Sequence, residues 1–145
     1  VIVTADHDMY QCIRSNVCIY HPQSRTTITL QSFHKIYGIK PNWWANVKCL
    51  SGCQSDNIHG IPGIGEKRAL DFIRGTMPKH SRHYKAILDG SKIIGRNAKL
   101  IYLPYPGTRS VRLNKNKLSH DGWIEVCKQL GITSLRERVF PRIAE

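Results

Sequence analysis

A glycine-rich run in the middle of the chain has the residue types that can hold a phosphate group. Three glycines and a proline fall within residues 60–65, which predicts a tight hairpin because glycine enters positive-φ conformations freely. The next residues, 66–74, predict a helix, so the hairpin would present unpaired backbone N–H groups beside Lys67 and Arg68. Such a surface binds nucleic-acid phosphates without regard to base sequence. The alternative is an ordinary packing corner, in which the glycines only let two helices approach closely.

Two carboxylates near the N-terminus have the spacing of a metal site. Asp6 and Asp8 come directly after apolar and β-branched residues at positions 1–5, which predict a buried parallel strand. On an extended chain, side chains two residues apart lie on the same side, so both carboxylates can reach one hard cation. Taken alone, an Asp-x-Asp pair is more often a solvated turn than a metal site.

Together the two motifs resemble the 5′→3′ exonuclease and flap endonuclease family of bacteriophage or bacterial type. The segment Ser55-Asp56-Asn57-Ile58 and the run at 60–65 resemble the family signature Ser-Asp-Asn-Ile-Pro-Gly-Val-Pro-Gly-Ile-Gly. His59 stands where the family usually has proline. The N-terminal segment resembles the family's strand that ends in Asp-x-Asp, some fifty residues before the signature.

The resemblance implies an α/β fold, the C-terminal part of a PIN-like 5′-nuclease domain with a helix–hairpin–helix. The implied activity is metal-dependent hydrolysis of DNA phosphodiesters, with Asp6, Asp8 and Asp56 holding the second divalent ion, Mg²⁺ or Mn²⁺. It also implies a potassium ion at the hairpin as a further possibility. The implied partner is duplex, 5′-flap or branched DNA, bound without sequence specificity. The residues expected at the DNA are Gly60, Ile61, Gly63, Ile64, Gly65, Lys67 and Arg68.

Cys53 departs from the family pattern at a position that bears on the metal site. The family usually has aspartate after the glycine that corresponds to Gly52. A thiol is soft and largely protonated at neutral pH, so it is a poor ligand for Mg²⁺. We expect Cys53 to be a small buried side chain without a metal role. The alternative is a second metal site that has lost one contact.

The other acidic residues do not predict a second strand-end cluster, although the family carries its first metal cluster in an N-terminal half. The resemblance therefore covers nearly all of this sequence but only about the C-terminal half of the family domain. We expect either a fragment or one subunit of a split nuclease, incomplete and inactive alone, with a separate N-terminal half as partner. The competing function is a non-catalytic helix–hairpin–helix module that binds DNA.

The composition favours a nucleic-acid partner. Lysine and arginine total 22 against 10 aspartates and glutamates, which gives a formal net charge of +12 and a pI near 9.8. A cationic balance of this size favours polyanions through counterion release. No apolar run approaches the roughly twenty residues that span a bilayer, so no membrane partner is expected. The five cysteines are odd in number and lack paired Cys-x-x-Cys spacing, which favours a reducing cytoplasm.

Hydrophobic periodicity predicts a few strands followed by helices. Strands are expected at 1–5, 17–20 and 26–30, and helices at 9–13, 30–37, 43–51, 66–74, 84–88, 92–103 and 121–130. Residues 1–40 would be the end of the nuclease α/β core. Residues 41–145 would be the helical C-terminal region, with the helix–hairpin–helix at about 45–75.

Overall fold

The computed structural model describes residues 1–112 and 119–133. The chain forms two compact units, Val1–Thr108 and Arg109–Glu145. The first unit contains every residue predicted for the metal or DNA site. In the second, helix α6 spans His120–Gln129 and begins after Ser119, whose hydroxyl accepts the Gly122 N–H. The division expected between residues 40 and 41 stays a prediction.

A small mixed sheet begins the first unit. Its strands are β1 (Ile2–Val3), β2 (Ile19–His21) and β3 (Thr26–Ile28), with β1 parallel and β3 antiparallel to the central β2. Ile19 pairs with a residue on either side and is fully buried. The strand predicted at 1–5 is shorter than expected, because the chain turns at Asp6 into a 3₁₀ helix, His7–Cys12.

Five helices complete the first unit. They are α1 (Leu30–Tyr37), α2 (Trp44–Ser51, preceded by a 3₁₀ turn at Pro41–Trp43), α3 (Glu66–Ile73), α4 (Arg82–Asp89) and α5 (Ser91–Ile101). The bounds predicted for α1 are confirmed. Thr29 and Ser32 cap its start reciprocally, and Gly38 ends it in the left-handed conformation at φ 62°. Among the described residues, every helix is too short or too polar to span a bilayer.

An aromatic cluster fixes the 3₁₀ helix against α1 and α2. The Tyr10 ring lies 5.4 Å from the Trp44 ring and 5.8 Å from the Phe33 ring, measured between centroids. All three side chains are buried, and Phe33 and Trp44 have no exposed surface. Aromatic pairs at such distances add stability beyond the area they bury. Because Tyr10 is anchored in this way, the position of Asp8, two residues earlier in the same 3₁₀ helix, is set by the core.

A short hairpin that the sequence analysis missed follows α2. Strands β4 (Gly52–Cys53) and β5 (Ile58–His59) pair antiparallel, and the loop between them carries Asp56. Gly60, immediately after β5, lies against the backbone at the end of α2. A Cβ atom at Gly60 would lie 2.6 Å from Gly52 N and closer still to the carbonyl group of Ser51. The chain can therefore follow this path after β5 only because residue 60 is glycine.

We expect Gly60→Ala to lower the free energy of unfolding by about 1–3 kcal/mol, because the added methyl group must displace backbone atoms. Gly95→Ala is the matched control. Gly95 lies on the exposed side of α5 with open space around its Cα, so alanine there should raise stability by about 0.5–1 kcal/mol. Urea denaturation followed by circular dichroism measures both changes. Equal effects at the two positions would contradict the close approach at Gly60.

Candidate metal and nucleic-acid site

One open cleft of about 770 Å³ gathers all three residues predicted to bind metal. It is lined by residues 5–8, Lys48, residues 51–56 and residues 65–66. The N-terminal segment, the end of α2, the β4–β5 hairpin and the start of α3 thus meet at one surface.

Asp8 places a carboxylate oxygen in the wall of this cleft without a partner. Its Oδ1 atom is buried and accepts no hydrogen bond from any described residue. Burial raises the pKa of Asp8, while the positive charge of Lys48 acts in the opposite direction. An unsatisfied buried oxygen costs free energy unless a donor or a cation reaches it.

Asp8, Cys53 and Asp56 form a cluster of possible metal ligands. Their carboxylate oxygens and the Cys53 sulfur all lie within 4.8 Å of one another. Ligand atoms around one divalent ion are separated by roughly 3–4.5 Å, given bond lengths of about 2.0–2.6 Å. A small closure of the exposed Asp56 loop would bring the three atoms onto one ion.

Asp6 lies in the cleft but outside this cluster. It caps the 3₁₀ helix, since its Oδ1 accepts the backbone N–H of Asp8 at 2.8 Å. The extended strand expected to carry Asp6 and Asp8 ends at Val3, and Asp8 lies in the 3₁₀ helix instead. Both residues still line the same cleft, and a shared cation stays a prediction. The structure brings Asp8 and Asp56 together and gives Asp6 an orienting contact to Asp8.

Cys53 is buried, as expected, with 6 % of its surface exposed. Its sulfur nevertheless faces the carboxylates and lies 3.1 Å from the Ser55 hydroxyl. Burial raises the pKa of the Cys53 thiol, so the free side chain is protonated at neutral pH. The expected burial is confirmed, and the sulfur also borders the carboxylates of Asp8 and Asp56. The expected lack of a metal role stays a prediction.

The cleft is acidic although the chain is basic. Asp6, Asp8, Asp56 and Glu66 line it, and Lys48 supplies the compensating positive charge. The Lys48 ammonium lies 3.8 Å from Glu66 and 5.6 Å from the centre of the Trp44 ring. Burial lowers the pKa of His7, so its ring adds no positive charge near pH 7. A divalent cation would offset the remaining negative charge.

Within the glycine-rich turn, Ile61 and Ile64 differ from the other residues predicted to contact DNA, because their side chains face the core. The side chains of Ile61 and Ile64 are buried in the core, at 4 % and 3 % exposure. The Ile61 N–H donates to the Leu50 carbonyl at 2.8 Å, and the Ile64 N–H donates to the Ile61 carbonyl at 2.9 Å. Neither residue has a side chain or an N–H group left for a phosphate. These two isoleucines anchor the turn to α2.

The start of α3 carries the unpaired groups. The N–H groups of Gly65, Glu66, Lys67 and Arg68 have no acceptor among the described residues, as expected for the first turn of a helix. The Arg68 guanidinium donates to the Gly63 carbonyl at 2.7 Å and so braces the turn. Lys67 is exposed and makes no ion pair within the described residues. Positive charge and free donors therefore coincide here.

Gly65 and Glu66 also line the cleft that holds Asp8 and Asp56. The candidate phosphate site and the candidate metal cluster therefore open into the same space.

Two residues that position the site were missed by the sequence analysis. Asn97 is fully buried in α5, and its Nδ2 donates to the carbonyls of Cys49 and His59, both at 3.0 Å. Gln11 Nε2 donates to the carbonyls of Asp8 and Ile101 at 2.9 and 3.0 Å. These contacts tie the β4–β5 hairpin and the 3₁₀ helix to α5. The available signal was a polar residue on the apolar side of α5, four residues from Ile93 and from Ile101.

No protein-family model matches the chain. A "5'-3' exonuclease" from Buchnera aphidicola is 33 % identical over 117 residues, which cover 81 % of this chain and 38 % of that protein. A "DNA polymerase I, thermostable" from Thermus thermophilus is 42 % identical over 73 residues, which are 50 % of this chain and 9 % of that protein. The chain thus spans less than half the length of these relatives.

Among solved structures, a bacteriophage T5 D15 flap endonuclease in a complex with DNA and metal ions matches with a TM-score of 0.62. The match is 20 % identical and covers 70 % of this chain and 42 % of that one. It confirms the predicted α/β, PIN-like fold class. The sequence relatives confirm the resemblance that the motifs indicated.

Proposed function

We propose that this chain, a homologue of the 5′-3′ exonucleases and of DNA polymerase I, is the DNA-binding and second-metal-site portion of a divalent-metal-dependent 5′→3′ exonuclease or flap endonuclease. One observation carries the proposal. The Asp8, Cys53 and Asp56 cluster and the free N–H groups at Gly65 and Glu66 open into one cleft. Hydrolysis of a phosphodiester by metal ions requires a phosphate beside the metal ligands.

The residues present fit a divalent ion. The Oδ1 atom of Asp8 is buried and has no hydrogen-bond donor among the described residues, and a bound cation would satisfy it. Asp8 and Asp56 would hold the ion, and Asp6 would orient Asp8 and add negative charge. The two carboxylates by themselves favour Mg²⁺ or Mn²⁺. A bound ion would activate water and stabilise the charge on the scissile phosphate.

The DNA contact is proposed at the start of α3, where Gly65 leaves the N–H groups open and Lys67 and Arg68 add positive charge. Gly60 and Gly63 shape the turn that delivers these groups. Ile61 and Ile64 support the turn from the core. A potassium ion at this turn is a further part of the proposal, since the Gly63 carbonyl accepts the Arg68 guanidinium and keeps a second lone pair for a cation.

The wider organisation follows the same proposal. Residues 1–40 would complete a nuclease α/β core, and residues 41–145 would form its helical C-terminal region. A separate N-terminal nuclease half is the proposed protein partner, and 5′-flap, branched or duplex DNA is the proposed substrate class. All five thiols are free, which suits the reducing cytoplasm that we propose as the compartment.

The DNA contact predicts a specific change in salt dependence. Lys67→Ala should weaken duplex binding at every sequence and reduce the slope of log K against log[salt] by about 1, because one phosphate contact is lost. Fluorescence anisotropy with a labelled 5′-flap duplex at several salt concentrations measures this slope.

Lys35→Ala is the control for this experiment, since Lys35 is exposed on α1, away from the glycine-rich turn in the chain. It should leave the slope unchanged. Gly65→Ala adds a methyl group where no protein atom is in the way. Weaker DNA binding by this variant would therefore show that DNA approaches the backbone closely at Gly65. Undetectable duplex binding at low salt would contradict the proposed contact.

The metal contact predicts a loss of cutting that exceeds any loss of binding. The chain aligns with only part of an exonuclease relative, and the rest of that relative can be supplied as a second polypeptide. We expect the combined complex to cut a 5′-flap substrate in Mg²⁺ or Mn²⁺. Asp56→Asn should then slow cutting by at least about 100-fold, because a ligand charge is removed at constant size. Single-turnover gel assays give the rate, and anisotropy gives the affinity.

Asp89→Asn, at the exposed end of α4, is the matched control and should cut at the unchanged rate. The competing function, a non-catalytic DNA-binding module, is favoured by the thiol at position 53. A combined complex that binds the flap tightly and never cuts it would establish that alternative.

A further inference from the structure

Cys53 gives the candidate metal cluster a donor set that differs from an all-oxygen site. Its sulfur lies within 4.8 Å of carboxylate oxygens of both Asp8 and Asp56. The thiol is held in the wall of the cleft, because β4 pairs Cys53 with Ile58 of β5. We infer that Cys53 is a ligand of this metal site, which therefore selects a thiophilic divalent ion such as Zn²⁺ over Mg²⁺. The inference rests on the proposed metal site.

The choice of ion follows from the chemistry of the three donors. Mg²⁺ requires oxygen ligands in near-octahedral geometry and binds sulfur poorly. Zn²⁺ accepts thiolate and carboxylate ligands together in tetrahedral geometry. Three protein donors would leave one position open toward the cleft for water or a phosphate oxygen. The cluster of one sulfur and two carboxylates thus matches Zn²⁺ better than Mg²⁺.

The surroundings of the sulfur suit a metal-bound thiolate. On binding the ion, the Cys53 S–H bond breaks, the sulfur keeps the electron pair for the metal, and the proton passes to solvent through the open cleft. The Ser55 hydroxyl, 3.1 Å from the sulfur, can then donate a hydrogen bond to the thiolate. Hydrogen bonds of this kind orient metal ligands and strengthen binding. The unpartnered Oδ1 of Asp8 supplies a preformed oxygen donor on the same side.

Cobalt(II) is the probe that tests this inference, because a sulfur-to-cobalt charge-transfer band appears only when a thiolate is a ligand. We expect the full chain to show this band in the near ultraviolet on titration with Co²⁺. Stoichiometric Zn²⁺ should remove the band, and a large excess of Mg²⁺ should not. Cys53→Ser should abolish the band and weaken Zn²⁺ binding by at least about tenfold, measured by calorimetry.

Cys18→Ser is the matched control, since Cys18 is a free thiol outside the cluster, and it should keep the band. Cys53→Asp should lose the band and gain affinity for Mg²⁺ relative to Zn²⁺. Absence of the band in the unmodified chain, or its persistence in Cys53→Ser, would overturn the inference. If Co²⁺ binds through Asp8 and Asp56 without the band, the inference fails and the proposed metal site stands. If no divalent ion binds, the proposed metal site fails as well.

Discussion

The structure of the site depends on the close approach of Gly60 to the backbone at the end of α2. No side chain separates the two segments, because a Cβ atom at Gly60 would overlap the Ser51 carbonyl group. The hairpin that carries Cys53 and Asp56 and the turn that leads into α3 are therefore joined at one point. Asn97 holds the same point from α5 by donating to the carbonyls of Cys49 and His59. The candidate metal cluster and the candidate phosphate site can share a cleft because of this junction.

The cleft carries negative charge, whereas its rim at the start of α3 carries positive charge. Carboxylates of Asp6, Asp8 and Asp56 repel a phosphate, whereas the start of α3 and Lys67 attract it. Under the proposed function a divalent cation would reconcile the two, since the carboxylates would hold it and it would attract the phosphate oxygens. The net charge of +12 would favour DNA at the surface, and the cation would offset the repulsion within the cleft.

Sequence patterns predicted those parts of the fold that depend on local chemistry. Helix α1 was predicted at the right bounds, and Gly38 is a strong local stop signal. The β4–β5 hairpin was missed because strands of two residues are too short for an alternating pattern. The strand at 1–5 was predicted too long because the 3₁₀ helix at His7–Cys12 is fixed by Tyr10 packing on Trp44, a contact between residues distant in sequence. The positioning role of Asn97 likewise depends on tertiary contacts.

The most direct test of the account is paramagnetic mapping of Mn²⁺ on the isotopically labelled chain by NMR spectroscopy. The account predicts that low concentrations of Mn²⁺ broaden the amide signals of Asp8, Cys53 and Asp56 first, together with those of Gly65 and Glu66 across the cleft. Adding DNA should strengthen the broadening at the same amides, because the phosphate supplies a further ligand to the ion. Broadening centred elsewhere, or at the carboxylates without Gly65 and Glu66, would contradict a shared metal and phosphate site.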